Sequence, residues 1–240
     1  MQINIINDAN KPLIYHIMQD IPKPVRKIGT SHISLRGVLP SEKNNTINTF
    51  ESSLERDYLK ILEFDNLVHE YVEQPIEILY KDGEFERRYT PDVLIYYRED
   101  LKSSSEYSPL LVEVKYRNDI KENWAELKPK FKAAISYAKQ KGWRFKVLTE
   151  REIRTTYLEN VKFLLPFKIK KIVDSNDSIL LLDWIKKLDI TTPDEILAAA
   201  ARDRYKQAEL LYSLWILVAL EMIGCDLFIP LTMKSEIWAK

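Results

Sequence analysis

The stretch from Thr90 to Lys115 constrains the fold of this 240-residue chain more than any other. Two apolar runs, Thr-Pro-Asp-Val-Leu-Ile-Tyr-Tyr and Leu-Leu-Val-Glu-Val-Lys-Tyr, flank a polar, Ser-rich segment, which predicts an antiparallel pair of strands. Asp92 opens the first strand. Glu113 and Lys115 lie two residues apart on the second, so the pleat places both side chains on one face. We therefore expect two carboxylates and a lysine at one edge of a small sheet.

This combination of side chains is typical of a divalent-metal site, because carboxylate oxygens are the hard ligands that Mg²⁺ and Mn²⁺ prefer. A salt-bridged hairpin, with Asp92 capping the start of a strand, is the structural alternative. The spacing favours the metal site, since Pro-Asp is followed 21 residues later by Glu-x-Lys inside a Val- and Leu-rich strand. The pattern resembles that of the PD-(D/E)xK nuclease superfamily.

Composition excludes several other classes of protein. Hydrophobic residues make up 45% and charged residues 30%, which is ordinary for a soluble globular chain. With only five glycines, the chain has no Gly-rich phosphate-binding or dinucleotide-binding motif. The single cysteine, Cys225, cannot form a disulfide framework or a zinc cluster, which indicates a reducing, cytoplasmic location. The first ten residues do not resemble a signal peptide, and the longest apolar stretch, Leu210 to Cys225, predicts a buried helix rather than a membrane span.

The net charge of zero conceals an asymmetry along the chain. Residues 51–113 carry 16 acidic and 7 basic side chains, whereas residues 115–154 carry 5 acidic and 12 basic ones. An acidic, metal-binding centre beside a basic flank suits a phosphodiester substrate; two solvated helices of opposite charge are the alternative. The basic residues that we expect to contact DNA phosphates are Arg117, Lys128, Lys130, Lys132, Arg151 and Arg154.

Patterning divides the chain into three parts: an extended N-terminal arm over residues 1–48, a mixed α/β domain over 49–167 and a C-terminal domain over 168–240. In the α/β domain the hydrophobic periodicity predicts a helix over 49–64 and a helix from Trp124 to Lys141 that ends at Gly142. Pro129 predicts a break in the second helix or a new first turn. Predicted strands and turns lie at 67–72, 75–80, 85–89 and 143–148, with a hairpin turn at 81–83 and a helix cap at Thr149.

The C-terminal part has a different pattern. Residues 178–223 predict three helices, with cap signals at Asp177-Ser178 and Thr192-Pro193, and two short apolar runs follow, Leu227 to Leu231 and Ile237-Trp238. Three helices followed by a short strand pair indicate a small, winged-helix-like domain. Its net charge of −1 over residues 155–240 favours binding to protein over binding to DNA.

Several short motifs follow one another along the chain: Gly37-Val-Leu-Pro-Ser-Glu-Lys, Phe50-Glu-Ser-Ser-Leu-Glu-Arg-Asp, Leu62-Glu-Phe-Asp, Glu73-Gln-Pro, Tyr89-Thr-Pro-Asp and Glu113-Val-Lys. In this order and spacing they resemble one family, the TnsA endonuclease subunit of heteromeric cut-and-paste transposases. The resemblance covers roughly residues 25–165. It implies a restriction-endonuclease-like domain with two Mg²⁺ ions, for which Mn²⁺ can substitute, acting on double-stranded DNA at transposon ends. It also implies two partners, a TnsB-like DDE transposase and a TnsC-like AAA+ ATPase that the C-terminal domain engages.

Carried over residue by residue, the resemblance places the catalytic set on Glu55, Asp92, Glu113 and Lys115, and it favours Glu55 over Glu51. The implied metal ligands are Glu55, Asp92, Glu113 and the backbone carbonyl of Val114. Some members of the family have Gln where this chain has Glu113, so this copy is nearer to the general nuclease pattern.

Other polar residues receive structural interpretations. We expect Gln74 to be an amide that closes a turn before Pro75. The histidines His16, His32 and His69 are not spaced as metal ligands.

The leading hypothesis is an endonuclease that cuts the 5′, non-transferred strands at transposon ends. Two other interpretations remain open, a stand-alone nuclease of restriction or junction-resolving type and a non-catalytic adaptor that bridges DNA and the ATPase. The intact set of four site residues argues against the adaptor.

Overall fold

A computed structural model describes residues 37–170 and 176–240 of the chain. Its first part is a mixed α/β domain, as expected, in which helices pack around a central sheet. The elements, numbered along the chain, are β1 (Gly37–Ser41), β2 (Thr46–Phe50), α1 (Ser53–Phe64), β3 (Val68–Glu73), β4 (Ile78–Asp82), β5 (Phe85–Tyr89), β6 (Val93–Tyr97), β7 (Leu110–Val114), α2 (Arg117–Glu122), α3 (Trp124–Gln140), β8 (Arg144–Leu148), α4 (Glu150–Ile153) and α5 (Thr156–Lys170).

The central sheet has four strands in the order β3-β6-β7-β8. Strand β6 pairs antiparallel with both β3 and β7, which confirms the predicted hairpin. Strand β8 pairs parallel with β7, because the chain crosses over through α2 and α3 between them. All five residues of β7 are buried, so the strand that carries Glu113 lies in the middle of the domain.

Helices cover both faces of this sheet. On one face, Leu54 and Leu59 of α1 pack with Val112 of β7 and Leu158 of α5. On the other face, the β4–β5 hairpin and α3 pack against Leu94 and Leu111 through Ile78, Tyr89 and Ala134. A sheet between two apolar layers holds its strand ends rigidly, which fixes the side chains that project from them.

The predicted N-terminal arm is wrong for residues 37–48. These residues form a β1–β2 hairpin whose turn contains Asn45 at a φ of 49°. The buried carboxylate of Glu63 holds the hairpin, since it accepts hydrogen bonds from the Ser41 hydroxyl at 2.8 Å and the Glu42 amide at 2.9 Å. Asn44 and Asn45 lie in the turn of this hairpin, whereas Asn48 is buried in β2. Residues 1–36 lie outside the described residues.

Two helix boundaries differ from the predictions. Helix α1 begins at Ser53 rather than Thr49, because the Ser52 hydroxyl accepts a hydrogen bond from the Glu55 amide and caps the helix. Pro129 does not break α3; the break lies upstream at Asn123, between α2 and α3. The predicted stop is confirmed, since Gly142 follows α3 with a φ of 70°. Thr149 forms a capping box with Glu152, as its position predicted.

The C-terminal part contains the three predicted helices, α6 (Asn176–Leu188), α7 (Pro193–Ala200) and α8 (Arg204–Ala219). Helix α8 accounts for the buried apolar stretch only as far as Ala219, so the prediction of a helix up to Cys225 is wrong for the last residues, where Ile223–Cys225 form a strand. A small sheet has the order β10-β11-β9, formed by Ile223–Cys225, Ile237–Ala239 and Ile190–Thr191. The apolar run at 227–231 is not a strand. It lies in the β10–β11 connection, where the Asn160 amide donates to the carbonyls of Leu227 and Ile229.

The two parts share a helix. Helix α5 runs through Phe167 without interruption, so the predicted domain boundary at 167 falls inside it. Its residues Val161 and Leu164, together with Phe64 of α1, are fully buried in the C-terminal core. In the described parts of the chain, the helices are all too short or too polar to cross a membrane.

Candidate active site

Asp92 is anchored between two strands at the edge of the sheet. It immediately precedes β6, and its amide donates to the Val112 carbonyl at 3.1 Å. Its carboxylate oxygen Oδ2 accepts a 2.7 Å hydrogen bond from the amide of Val114, near the end of β7. Backbone contacts on both sides therefore fix the direction of the Asp92 carboxylate.

Glu113 lies beside it in a buried position, with 4% of its surface exposed. One carboxylate oxygen, Oε2, accepts a 2.7 Å hydrogen bond from the hydroxyl of Tyr89. The other, Oε1, is 3.4 Å from the ammonium nitrogen of Lys115. Glu113 also interacts electrostatically with Asp92.

Glu55 joins the site from the first turn of α1. Its carboxylate accepts hydrogen bonds from the Glu51 amide at 2.8 Å and from the Ser52 hydroxyl at 2.9 Å. These contacts stabilise the start of the helix, so Glu55 also has a structural role. It lines a small cavity together with Asp92, and it interacts electrostatically with both Asp92 and Lys115.

The electrostatics of the four side chains are those of a crowded acidic centre. Burial, reinforced by the negative charges of Glu113 and Glu55, raises the pKa of Asp92 well above its ordinary value. Burial also raises the pKa of Glu113 and of Glu55, although Lys115 opposes both shifts. For Lys115, burial disfavours the ammonium, but the attraction of Glu113 and Asp92 outweighs it and raises the pKa. The lysine is therefore a cation over the physiological pH range.

This donor set suits a divalent cation by its chemistry. Three carboxyl groups that repel one another when ionised are stabilised either by protons or by a cation. In the conformation described for residues 37–170 and 176–240, however, no three His, Cys, Asp or Glu side chains are spaced closely enough to hold a metal ion. The carboxyl oxygens are engaged instead with Tyr89, Val114 and Lys115.

Sequence reasoning missed one contact of this centre. Tyr89 belongs to the quoted Tyr-Thr-Pro-Asp motif, but nothing in the sequence shows that its hydroxyl reaches Glu113 across 24 positions of the chain. The histidine His69 is exposed on β3, away from this cluster, and His16 and His32 lie outside the described residues. Glu51 contributes its backbone amide to Glu55.

The expected DNA-contacting residues fall into two groups. Arg154 is engaged inside the protein, where it pairs with the buried Asp57 at 3.0 Å and donates to the Ser53 hydroxyl. Lys130 pairs with Glu126 within α3. The remaining members are exposed or half-buried, and their side chains form no hydrogen bond or ion pair with the described residues: Arg117, Lys128, Lys132 and Arg151.

The mixed sheet with its carboxylates and lysine at one edge is consistent with a nuclease-type α/β domain. Comparison with protein families agrees, because residues 65–150 match the family described as TnsA-like endonuclease N terminal. This part of the chain is similar to that family, and the matched region includes Asp92, Glu113 and Lys115. Glu55 lies upstream of it. A search of curated proteins finds no match to the chain.

Proposed function

We propose that the chain is a metal-dependent DNA endonuclease that hydrolyses the 5′, non-transferred strands at transposon ends. The observation that carries the proposal is the convergence of Asp92, Glu113 and Lys115 at one sheet edge of a TnsA-like domain. A buried cluster of carboxylates with raised pKa values is costly to maintain unless it binds something positive.

Mg²⁺, with Mn²⁺ as a substitute, is the cation that suits this site. Glu55, Asp92 and Glu113, with the backbone carbonyl of Val114, would hold two ions, and the contact of Lys115 with Glu113 would rearrange to admit them. A bound Mg²⁺ supplies Lewis-acid activation of a water and neutralises charge on the phosphate.

The protein's own residues have separable tasks in the hydrolysis. The Val114 amide keeps Asp92 directed at the site, and Tyr89 does the same for Glu113. Lys115 retains its proton, so it would donate a hydrogen bond to the attacking water or to the phosphate and offset the negative charge that develops there. A lysine with a raised pKa is not suited to act as the general base.

The partners follow from the TnsA-like domain. A nuclease of this family would act with a TnsB-like DDE transposase, which cuts and joins the other strand, and a TnsC-like AAA+ ATPase regulator. We assign ATPase binding to the C-terminal part. The three helices α6, α7 and α8, together with the small sheet of order β10-β11-β9, are compatible with a winged-helix arrangement. The near-neutral charge of this part supports a protein partner.

The test is cleavage of marked transposon ends by the purified protein with the transposase, comparing wild type with Asp92→Ala. We expect Mg²⁺-dependent cutting of the 5′ strand by wild type and a loss of at least about 100-fold in the variant, the scale for removing a direct metal ligand. Asp82→Ala, at an exposed position in the β4–β5 hairpin, is the matched control.

The same variants in a complete transposition system distinguish the alternatives. If this subunit cuts the strand that the transposase leaves intact, Asp92→Ala shifts the products from simple insertions to cointegrates. Long-read sequencing of the junctions measures the ratio. An unchanged ratio with folded Asp92→Ala protein would favour the adaptor, and cleavage by the wild type without any transposase would favour a stand-alone nuclease.

A further inference from the structure

Gln74 has a buried polar atom with no donor among the described residues. Its side chain is 8% exposed, and the carbonyl oxygen Oε1 accepts no hydrogen bond. Leaving a buried acceptor unsatisfied costs about 1–3 kcal/mol. A buried group of this kind is explained by a functional role or by a water or ligand that provides the donor.

The strand register places Gln74 directly beside Asp92. Strand β3 pairs with β6 so that Glu73 is opposite Val93, and the Gln74 amide continues the pairing with a 2.7 Å hydrogen bond to the Asp92 carbonyl. Gln74 also has a φ of 44°, in the left-handed region that side-chain-bearing residues rarely adopt. Strained backbone of this kind clusters at functional sites.

The surroundings of Oε1 show what it can bind. Gln74 lines a cavity of about 10 Å³ together with Glu55, Glu73 and Asp92, whose carboxyl groups are acceptors like Oε1 itself. The hydroxyl and amide of Thr49, also in the lining, both donate to Glu73. Because Oε1 of Gln74 is surrounded by other acceptors, its hydrogen-bond donor must be a small molecule from outside the protein. The cavity volume is close to the ~10–15 Å³ that one water requires.

The side chain is not needed for the turn before Pro75. The hydrogen bond that joins this turn to β6 comes from the backbone amide of Gln74, so any residue except proline would form it. A structural role for Gln74 in this turn therefore accounts for its backbone hydrogen bond but not for its unsatisfied side-chain oxygen Oε1.

We infer that Gln74 is a positioning residue of the active site, whose side-chain carbonyl oxygen accepts a hydrogen bond from a water bound to the cation held by Asp92 and Glu55. This inference rests on the proposed function. Mg²⁺ usually keeps several of its waters when a protein binds it, and groups that hold such outer-shell contacts set metal affinity by about 10–100-fold.

Three substitutions separate this role from a structural one. Gln74→Met keeps the length of the side chain but removes the acceptor, whereas Gln74→Glu keeps an acceptor at the same distance. Gln74→Asn shortens the side chain but suits the left-handed backbone, since Asn adopts it more readily than most residues. Asp92→Ala serves as the reference for loss of the cation site.

The measurement is Mn²⁺ binding by calorimetry in the absence of DNA, together with the melting temperature of the metal-free protein. We expect Gln74→Met and Gln74→Asn to weaken Mn²⁺ binding by about 10-fold or more and Gln74→Glu to retain it. Gln74→Met should melt no lower than wild type without metal, because it replaces an unsatisfied buried acceptor with an apolar group.

The possible failures are distinguishable. Wild-type binding of Mn²⁺ by both Gln74→Met and Gln74→Asn would overturn the role of Gln74 and leave the proposed function intact. Weak binding by all three variants, with lower melting temperatures, would show that Gln74 acts through the fold. Absence of Mn²⁺ binding by wild type would overturn both this inference and the metal dependence of the proposed function.

Discussion

The hydroxyl of Tyr89 donates a 2.7 Å hydrogen bond to Oε2 of Glu113 across the sheet edge. Tyr89 ends β5, a strand of the separate β4–β5 hairpin, so this bond ties a peripheral hairpin to the buried centre of the central sheet. Burial and the Glu113 carboxylate both raise the pKa of Tyr89, which keeps its hydroxyl protonated and able to donate. Glu113 depends on this donor, because a buried carboxylate without one is strongly disfavoured.

Tyr89→Phe should therefore weaken the site without removing any proposed ligand. We expect a loss of stability of about 1–3 kcal/mol, the range for leaving a buried acceptor of this kind without its partner, and a cleavage rate lowered by about 10-fold. Chemical denaturation and cleavage of transposon ends measure the two effects. Tyr80→Phe, on the neighbouring strand β4, is the control, and an equal effect of both substitutions would contradict the assignment.

Asp92→Asn should stabilise the metal-free protein while abolishing cleavage. The Asn carbonyl can still accept from the Val114 amide, but the substitution removes a charge that burial, Glu113 and Glu55 all disfavour. We expect a gain of about 0.5–2 kcal/mol in the free energy of unfolding near neutral pH, typical of stabilising substitutions at a functional site. Mn²⁺ should raise the melting temperature of the wild type and not of the variant.

The same substitution has a pH dependence of known sign. Because the folded-state pKa of Asp92 lies above its unfolded value, the folded protein binds the additional proton between the two values. The stabilisation that this proton provides is therefore fully present below about pH 4. It is lost as the pH rises through the raised pKa of Asp92. The advantage of Asp92→Asn over wild type should grow from pH 4.5 to 7.5 in denaturation experiments without divalent cations. If the difference in the free energy of unfolding between Asp92→Asn and wild type stays constant over this pH range, ionisation of Asp92 does not destabilise the folded protein.

Local chemistry explains which parts of this fold were predictable. The stop at Gly142 and the cap at Thr149 each depend on residues within a few positions of one another, and the β6–β7 pair was predictable from two contiguous apolar runs that flank a polar segment. The β1–β2 hairpin was missed because contacts with Glu63, about 20 residues away, decide its structure.

The site shows the same division. The positions of Asp92, Glu113 and Lys115 follow from strand alternation within one hairpin. The contacts of Tyr89 and Gln74 arise from pairing between separate strands and from a backbone conformation, for which the sequence contains no local signal. Arg154 was assigned to DNA on its charge, which does not reveal that Asp57 already engages it.

The exposed members of the basic flank should contact DNA phosphates, whereas Arg154 should stabilise the fold. Lys128→Glu with Lys132→Glu, on an exposed stretch of α3, is expected to weaken binding about equally for all DNA sequences and to reduce its salt dependence. Binding titrations at several salt concentrations test this expectation, and a loss limited to one DNA sequence would contradict it.

Arg154→Ala leaves the buried Asp57 with Arg56 as its only described ion-pair partner and should cost about 1–3 kcal/mol of stability.

We expect that cleavage and partner binding will not separate cleanly at residue 167, because the C-terminal core is built partly from the α/β domain. Phe64 of α1 and Val161 and Leu164 of α5 are fully buried there, and a fragment ending at 167 exposes all three. Exposing a large apolar side chain costs about 1.5–3 kcal/mol, so the sum is comparable to the whole stability of a typical domain, about 5–15 kcal/mol. We expect the fragment to aggregate or to melt far below the full chain. The same fragment with polar residues at these three positions should recover solubility. A monomeric wild-type fragment that melts at the temperature of the intact protein would show that the two parts fold independently.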